Sequence, residues 1–205
     1  MSRAANWISI ALHPLFMPLL TLWLAIAVDP HLGYFLDGRM LWITLGMVGV
    51  MTIVFPLIST LLLLRGGVID DLRMPDHRQR VAPFVMTLLY FAMAYWLLRR
   101  SSIHLGLLPL LAGAIVALAL TAAISLRWRI SAHMVGIGGL LGTLSALMVM
   151  HALPILPLIA GVILLAGALG TARIVDGGHS HTQIHAGTAL GFLCTHLCVQ
   201  AGFMV

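Results

Sequence analysis

Long apolar segments separated by short polar connectors dominate this chain. Seven of them approach the roughly 20 residues that a helix needs to cross the hydrocarbon core of a bilayer. They cover residues 7–28, 40–64, 81–98, 104–126, 133–151, 154–172 and 184–204. The first follows Met1-Ser2-Arg3 without a small-residue cleavage site, which favours a spanning helix over a removable signal. The pattern predicts an all-α, polytopic transmembrane helical bundle of six to seven spans, folded as a single integral membrane domain over residues 1–205.

Prolines interrupt this pattern at two places. The first segment contains His13-Pro14 and Pro18, which should kink its helix or limit it to a half-helix, because proline removes a backbone donor. The segments 133–151 and 154–172 are separated only by His151-Ala-Leu-Pro154, which predicts a tight hairpin.

Glycines recur four residues apart in two of the segments. The pairs are Gly138-x-x-x-Gly142 and Gly187-x-x-x-Gly191. This spacing places two small residues on one helix face, where neighbouring backbones can approach closely. We therefore predict that these glycines serve the packing of the bundle.

The composition agrees with a membrane protein. At 61% hydrophobic and 8% charged residues, the chain is too apolar for a water-soluble domain. Its formal charge of +5 comes from arginine and aspartate alone, without lysine or glutamate. In such a chain a basic excess concerns anionic lipid and membrane topology, so the bilayer is the expected partner and nucleic acid is not. Nothing in the sequence indicates an oligomeric state.

The polar connectors are predicted to collect on one side of the membrane. If every segment spans, the connectors after the second, fourth and sixth segments share one face. These connectors are residues 65–80, 127–132 and 173–183. With Arg3, that face holds eight of the eleven arginines, and the opposite face holds only Arg39, Arg99 and Arg100.

Each of these connectors carries groups suited to an anion. Arg73 and Arg80 lie in the first, and guanidinium groups bind phosphate oxygens through paired hydrogen bonds. Ser131 in the second resembles a helix cap, at a helix N-terminus whose free N–H groups attract anions. In the third, Gly177-Gly178 permits a sharp backbone path that would present His179. Taken singly, the first connector is more typical of flanking arginines that set membrane orientation, His133 is more typical of an interfacial histidine, and the third connector is a weak signal.

Together the connectors resemble the type 2 phosphatidic acid phosphatase superfamily of membrane lipid phosphatases. That family carries the motifs Lys-x6-Arg-Pro, Pro-Ser-Gly-His and Ser-Arg-x5-His-x3-Asp. This chain reads Arg73-x6-Arg80 with a proline three residues later, then Ile130-Ser131-Ala132-His133, then Ala172-Arg173-x5-His179-x3-Gln183. Order and internal spacing match in all three motifs. The resemblance implies a six-helix phosphatase-like core and a lipid phosphate as the substrate.

The resemblance also implies a role for each matching residue. His179 would attack phosphorus and form a phosphohistidine, and His133 would protonate the leaving group. The phosphate oxygens would be held by Arg73, Arg80, Arg173 and the backbone around Ser131. No metal and no other cofactor is required by this chemistry.

Gln183 departs from the family pattern, which has aspartate at this position. In the family that carboxylate orients the nucleophilic histidine and stabilises its positive charge. A glutamine oxygen still accepts the ring N–H but supplies no charge. In a serine-protease triad the comparable change lowers turnover by about 10⁴-fold. Either another group compensates, with Asp176 as the candidate, or the chain binds phosphate without rapid turnover.

Two alternatives stay open at this point. His181 and His185 lie four residues apart at a helix start, so they could form a metal site together with His179, His77 and nearby aspartates. A metal-dependent membrane hydrolase would follow. Alternatively, the chain is a non-catalytic protein that binds or transports a lipid phosphate in the same basic cavity.

The membrane face of the site has two interpretations. The arginine bias places it in the cytoplasm, where phosphatidylglycerophosphate or phosphatidate would be the substrate. Family members acting on undecaprenyl pyrophosphate work on the outer face, where a polyprenyl diphosphate or lipid A would be the substrate. Both interpretations place the chain in a bacterial inner membrane.

Overall fold

Every regular element in the described part of the chain is helical. The computed structural model describes residues 3–34, 36–72, 78–101 and 105–203 and contains no strand within them. The α-helices are α1 Arg3–Ala11, α2 Met17–Val28, α3 Pro30–Gly33, α4 Gly38–Gly49, α5 Phe55–Arg65, α6 Val81–Arg100, α7 Leu108–Ser125, α8 Ala132–Met150, α9 Leu156–Val175 and α10 His181–Phe203. A π-helical segment, Val50–Val54, joins α4 to α5. Short 3₁₀ turns, Arg78–Arg80 and Leu105–Leu107, precede α6 and α7.

The predicted all-helical class is confirmed. Within the described ranges, five helices are long and apolar enough to cross a membrane, which is compatible with an integral membrane protein. They are Gly38–Arg65, Arg78–Arg100, Leu108–Ser125, Ala132–Met150 and Leu156–Val175. Helix α10 has the length of a span at 23 residues, but it is not one of the five.

The first predicted span, 7–28, is not one continuous helix. Helix α1 ends at Ala11 and α2 begins at Met17, with His13 and Pro14 in the turn between them. The break follows from Pro14, which has no N–H to continue the helical ladder. The expected kink is therefore a full interruption, and it turns the His13 side chain toward α8, where its ring lies 5.4 Å from that of His133.

A proline also explains the π-helical segment inside the longest helix. Pro56 cannot donate to the carbonyl of Thr52, and in a regular α-helix its ring would collide with that carbonyl. Widening the preceding turn over Val50–Val54 removes the collision, so the helix continues from Gly38 to Arg65.

Helix α8 lies at the centre of the bundle and is the most buried of the five apolar helices. Its glycines interlock with those of α10. A methyl group added at Gly191 would collide with the carbonyl of Val135, and one at Gly142 would collide with the carbonyl of Phe192. The Thr195 hydroxyl crosses the same interface and donates to the carbonyl of Gly139 at 2.8 Å. The predicted packing role of these glycines is confirmed.

Four helix ends meet on one side of the bundle. The N-termini of α6 and α8, the C-terminus of α9 and the turn that precedes α10 all contribute residues to one cavity there. The start of α6 is fixed by Gln79, which accepts from the backbone N–H of Asp70 at 3.1 Å and donates to its carboxylate at 2.6 Å. This pair of bonds ties the segment after α5 to the turn that carries Arg80.

We expect Gly191→Ala to destabilise the protein by about 1–3 kcal/mol, because the added methyl must push the backbones of α8 and α10 apart. Gly167→Ala is the matched control, since nothing lies within 4 Å of the added methyl there. Thermal unfolding in detergent measures the difference. Equal unfolding temperatures for the two variants would contradict the close packing assigned to Gly191.

Candidate functional site

A cavity of about 780 Å³ lies at the side of the bundle where α8 begins and α9 ends. Its charged and histidine lining residues come from five separate parts of the chain. They are His13, Asp71, Arg80, Arg129, His133, Arg173, Asp176 and His179. Four of the residues predicted from the motifs, namely Arg80, His133, Arg173 and His179, therefore share one cavity wall. Arg73 and His77 lie outside the described residues.

The cavity becomes apolar with depth. Phe91 of α6, Leu110 of α7 and Leu22 of α2 line it together with Thr143 of α8. Thr143 lies eleven residues after the start of α8, so the cavity extends roughly 16 Å along that helix. A ligand with a charged head and an apolar chain matches this gradient.

The end of α9 shows how glycine presents His179. Gly177 adopts a left-handed conformation, with φ +65°. The Gly178 N–H donates to the carbonyl of Arg173 and the Gly177 N–H to that of Ile174, which is the hydrogen-bond pattern of a Schellman cap. A side chain at Gly178 would meet the Arg173 guanidinium. The predicted sharp path is confirmed, and it turns His179 back toward Arg173.

Hydrogen bonds around Gln183 determine which nitrogen of His179 carries the proton. The backbone N–H of Ser180 donates to Oε1 of Gln183 at 3.1 Å, so this atom is an acceptor. Nδ1 of His179 lies 3.1 Å from the same oxygen and must therefore be the protonated ring nitrogen. The lone pair of the neutral ring is consequently on Nε2.

The surroundings of His179 favour its neutral form. Burial lowers the pKa of His179 to about 4; the hydrogen bond to Gln183 opposes the shift, and the positive charges of Arg173, Arg129 and Arg80 add to it. At neutral pH the imidazole is unprotonated at Nε2 and can act as a nucleophile.

Asp176 does not replace the missing carboxylate. Its Oδ2 lies 3.8 Å from Nη1 of Arg173, and no hydrogen bond joins it to His179 among the described residues. Among the described contacts Asp176 pairs with Arg173 and not with His179, so it does not occupy the place that the family's carboxylate has beside the histidine. The reason is geometric, since Asp176 ends α9 and faces back along that helix to Arg173.

Arg129 is a cavity residue that the motifs did not assign. It lies between α7 and α8, in the same connector as Ser131. Its Nε and that of Arg173 are buried and have no hydrogen-bond partner in the described part of the chain. Unpartnered buried donors are costly, and a phosphate would satisfy both. In the sequence, the clustering of arginines in the connectors was the signal that could have identified Arg129 as a site residue.

His133 is held by the broken first helix. Its Nε2–H donates to the carbonyl of Ser9 in α1 at 3.1 Å, and its ring lies edge-on to that of His13. Ser9 and His13 both line the cavity, and neither was predicted as a site residue. The sequence signal beside His13 was Pro14, which predicts a kink in the helix. That signal alone does not show that His13 lines the cavity.

Ser131 lies at the predicted N-cap of α8, but its side chain makes no capping hydrogen bond. The residue is fully buried, is not part of the cavity lining, and its hydroxyl has no partner within the described ranges. Its carbonyl would meet a methyl group at Gly187, so Ser131 lies directly against α10. Close packing rather than anion contact accounts for a small residue here.

The histidines of the alternative metal site are exposed. His181 and His185 both face outward from the start of α10. In the described ranges neither belongs to a group of three metal-type ligands.

Comparisons of the chain with protein-family models, with curated proteins and with solved structures found no match.

We expect inorganic phosphate or vanadate to raise the unfolding temperature of the protein, because the anion pairs with buried guanidinium groups. Arg129→Gln should weaken this binding by about 10- to 100-fold, as expected for loss of a hydrogen bond to a charged group. Arg99→Gln, at the opposite end of α6, is the control and should bind as the wild type does. Equal anion affinity in the two variants would exclude Arg129 from the anion site.

Proposed function

We propose that this protein is a metal-independent membrane lipid phosphatase, a divergent relative of the type 2 phosphatidic acid phosphatases. Its substrate is a lipid phosphomonoester or diphosphate, either a polyprenyl diphosphate or a glycerophospholipid phosphate, in a bacterial inner membrane. One observation carries the proposal: three arginines and three histidines converge on the charged end of a cavity whose other end is apolar.

The reaction proceeds in two phosphoryl transfers. In the first, Nε2 of His179 attacks phosphorus, an N–P bond forms, and the P–O bond to the lipid breaks. His133 is protonated at both ring nitrogens in the substrate complex, because the negative phosphate favours its imidazolium form. It gives its Nδ1 proton to the leaving oxygen, while its Nε2–H stays bonded to the carbonyl of Ser9. In the second, water attacks phosphorus, its proton passes to His133, and the N–P bond breaks to release phosphate.

The guanidinium groups supply the electrostatic part of catalysis. Arg80, Arg129 and Arg173 line the charged end, with Arg73 expected beside them from its motif. Fixed cations in a site of low dielectric stabilise the negative charge on the transferred phosphoryl group without reorganising.

Gln183 acts as a positioning residue. Its oxygen holds the Nδ1 proton of His179, which keeps Nε2 free for attack. It adds no negative charge, so the cationic phosphohistidine is less stabilised than it would be beside a carboxylate.

His179→Ala is expected to abolish phosphate release from lipid substrates, because no other group forms the N–P bond. Incubation with a ³²P-labelled lipid phosphate and rapid denaturation should trap acid-labile label on the wild type and none on the variant. EDTA should leave the wild-type rate unchanged. Full activity of His179→Ala would refute the covalent route, and loss of activity in EDTA would favour the metal-dependent hydrolase.

The wild-type rate should persist to low pH and fall only as the pH drops through about 4, where Nε2 of His179 becomes protonated. Gln183→Asp places a carboxylate beside the ring, which favours the imidazolium and raises its pKa. The acidic limb of the pH–rate profile should therefore move to higher pH in this variant. Using one lipid substrate for both proteins cancels ionisation of the substrate. Coinciding acidic limbs would show that Gln183 does not act on His179.

The second candidate function, a non-catalytic binder or transporter of lipid phosphate, is favoured by Gln183 itself. It predicts saturable binding of a lipid phosphate in nanodiscs that requires Arg129 and Arg173 but not His179, with no trapped phosphohistidine. The trapping experiment separates the two functions.

A further inference from the structure

A second cluster of ionisable side chains lies at the other end of α8. Asp29 ends α2 and is fully buried, His31 lies in α3, and His151 follows the last residue of α8. Nδ1 of His151 is 2.6 Å from Oδ2 of Asp29, and Nδ1 of His31 is 3.1 Å from Oδ1. The two imidazole centroids are 4.5 Å apart, so both rings converge on one carboxylate.

This cluster is remote from the phosphate cavity. His133 at one end of α8 and His151 at the other are 18 residues apart, which corresponds to roughly 27 Å along the helix. None of the three residues lines the cavity. The proposed phosphatase chemistry therefore assigns them no role.

The arrangement has the chemistry of a metal site. One oxygen or nitrogen atom of each residue lies within 4.8 Å of the other two. In a tetrahedral zinc site, metal–ligand bonds of about 2.0–2.1 Å place the ligand atoms about 3.3 Å apart. The 3.1 Å between Asp29 and His31 is close to this value, and the 2.6 Å between Asp29 and His151 would lengthen on binding. Two imidazoles and a carboxylate are a ligand set that zinc and similar metals accept with a fourth position open.

We propose that Asp29, His31 and His151 bind a divalent transition metal ion of the zinc type, at a site separate from the phosphate cavity. The metal takes the place of the two Nδ1 protons that now bond Asp29, each ring then carrying its proton on Nε2, and its charge neutralises the buried carboxylate. The side chain of His31 is 68% exposed, which leaves a path for the ion and room for a water as fourth ligand.

Binding there would join parts of the chain that are distant in sequence. Asp29 and His31 belong to the α2–α3 segment, and His151 belongs to the turn between α8 and α9. A bound metal would fasten α2, which forms part of the cavity wall, to the far end of the central helix. The expected effect is on stability rather than on the phosphoryl-transfer step.

Cobalt(II) titration of the full chain, purified in detergent and freed of metal with EDTA, tests the proposal. Co²⁺ bound to two imidazoles and a carboxylate absorbs in the visible range, and Zn²⁺ should displace it. We expect one Co²⁺ per chain and a higher unfolding temperature. His31→Ala should weaken binding at least tenfold; because this side chain is mostly exposed, its loss leaves the helix packing intact.

Asp29→Asn and His151→Gln should weaken cobalt binding in the same way, while His185→Ala, an exposed histidine at the opposite end of the bundle, should not. Phosphate release by His31→Ala should equal that of the wild type, so failure of the metal site and failure of the phosphatase are distinguishable. Absence of cobalt binding by the wild type, or equal binding by wild type and His31→Ala, would overturn the proposal.

Discussion

The direct contact between the backbones of α8 and α10 fixes the positions of both proposed catalytic histidines. Lipid supplies no hydrophobic force between helices, so close van der Waals packing and hydrogen bonds across the interface must hold them together. Glycine makes that packing possible on both helices, and Thr195 adds a hydrogen bond to Gly139. His133 begins α8 and His179 precedes α10 by two residues. A small slip between these helices would therefore change the distance between the acid and the nucleophile directly.

Electrostatics at the cavity follow from bringing like charges together out of water. Three guanidinium groups share the cavity wall, and two of them have a buried Nε without a described partner. Repulsion between the guanidinium groups and the loss of their hydration destabilise the site, and a bound anion would offset both effects. Burial is the largest cause of the lowered pKa of His179, and the field of the three guanidinium groups adds to it, since a proton there would add a further positive charge. The arginines that would bind phosphate therefore also help to keep the imidazole neutral.

Much of this architecture could be predicted from the sequence. Long apolar segments predict helices, and when successive helices cross a membrane, every second connector lies on the same face. That reasoning brings Arg80, Arg173 and His179 to the same side, where the structure has them. Details inside connectors depend on tertiary packing instead. Only the folded turn shows that Ser131 lies against α10, and that the Arg129 side chain reaches the cavity.

Contacts between residues that lie far apart in the sequence could not be predicted either. The interrupted first helix places Ser9 beside His133, and the end of α2 places Asp29 beside His151, 122 residues away. Each contact depends on where a proline ends a helix and on how α1 and α2 then pack. Proline predicts that such a break exists, but the direction of the chain after it is determined by the neighbouring helices.

The glutamine at position 183 is best understood as a balance between two charge states of His179. A carboxylate at this position would raise the pKa of the imidazole and so increase the fraction that is protonated and unable to attack. A neutral amide avoids this effect and still fixes the tautomer through Nδ1. In the proposed mechanism, the amide gives less stabilisation to the phosphohistidine cation than a carboxylate would, so the cost falls on the lifetime of the intermediate and not on the protonation state of the nucleophile.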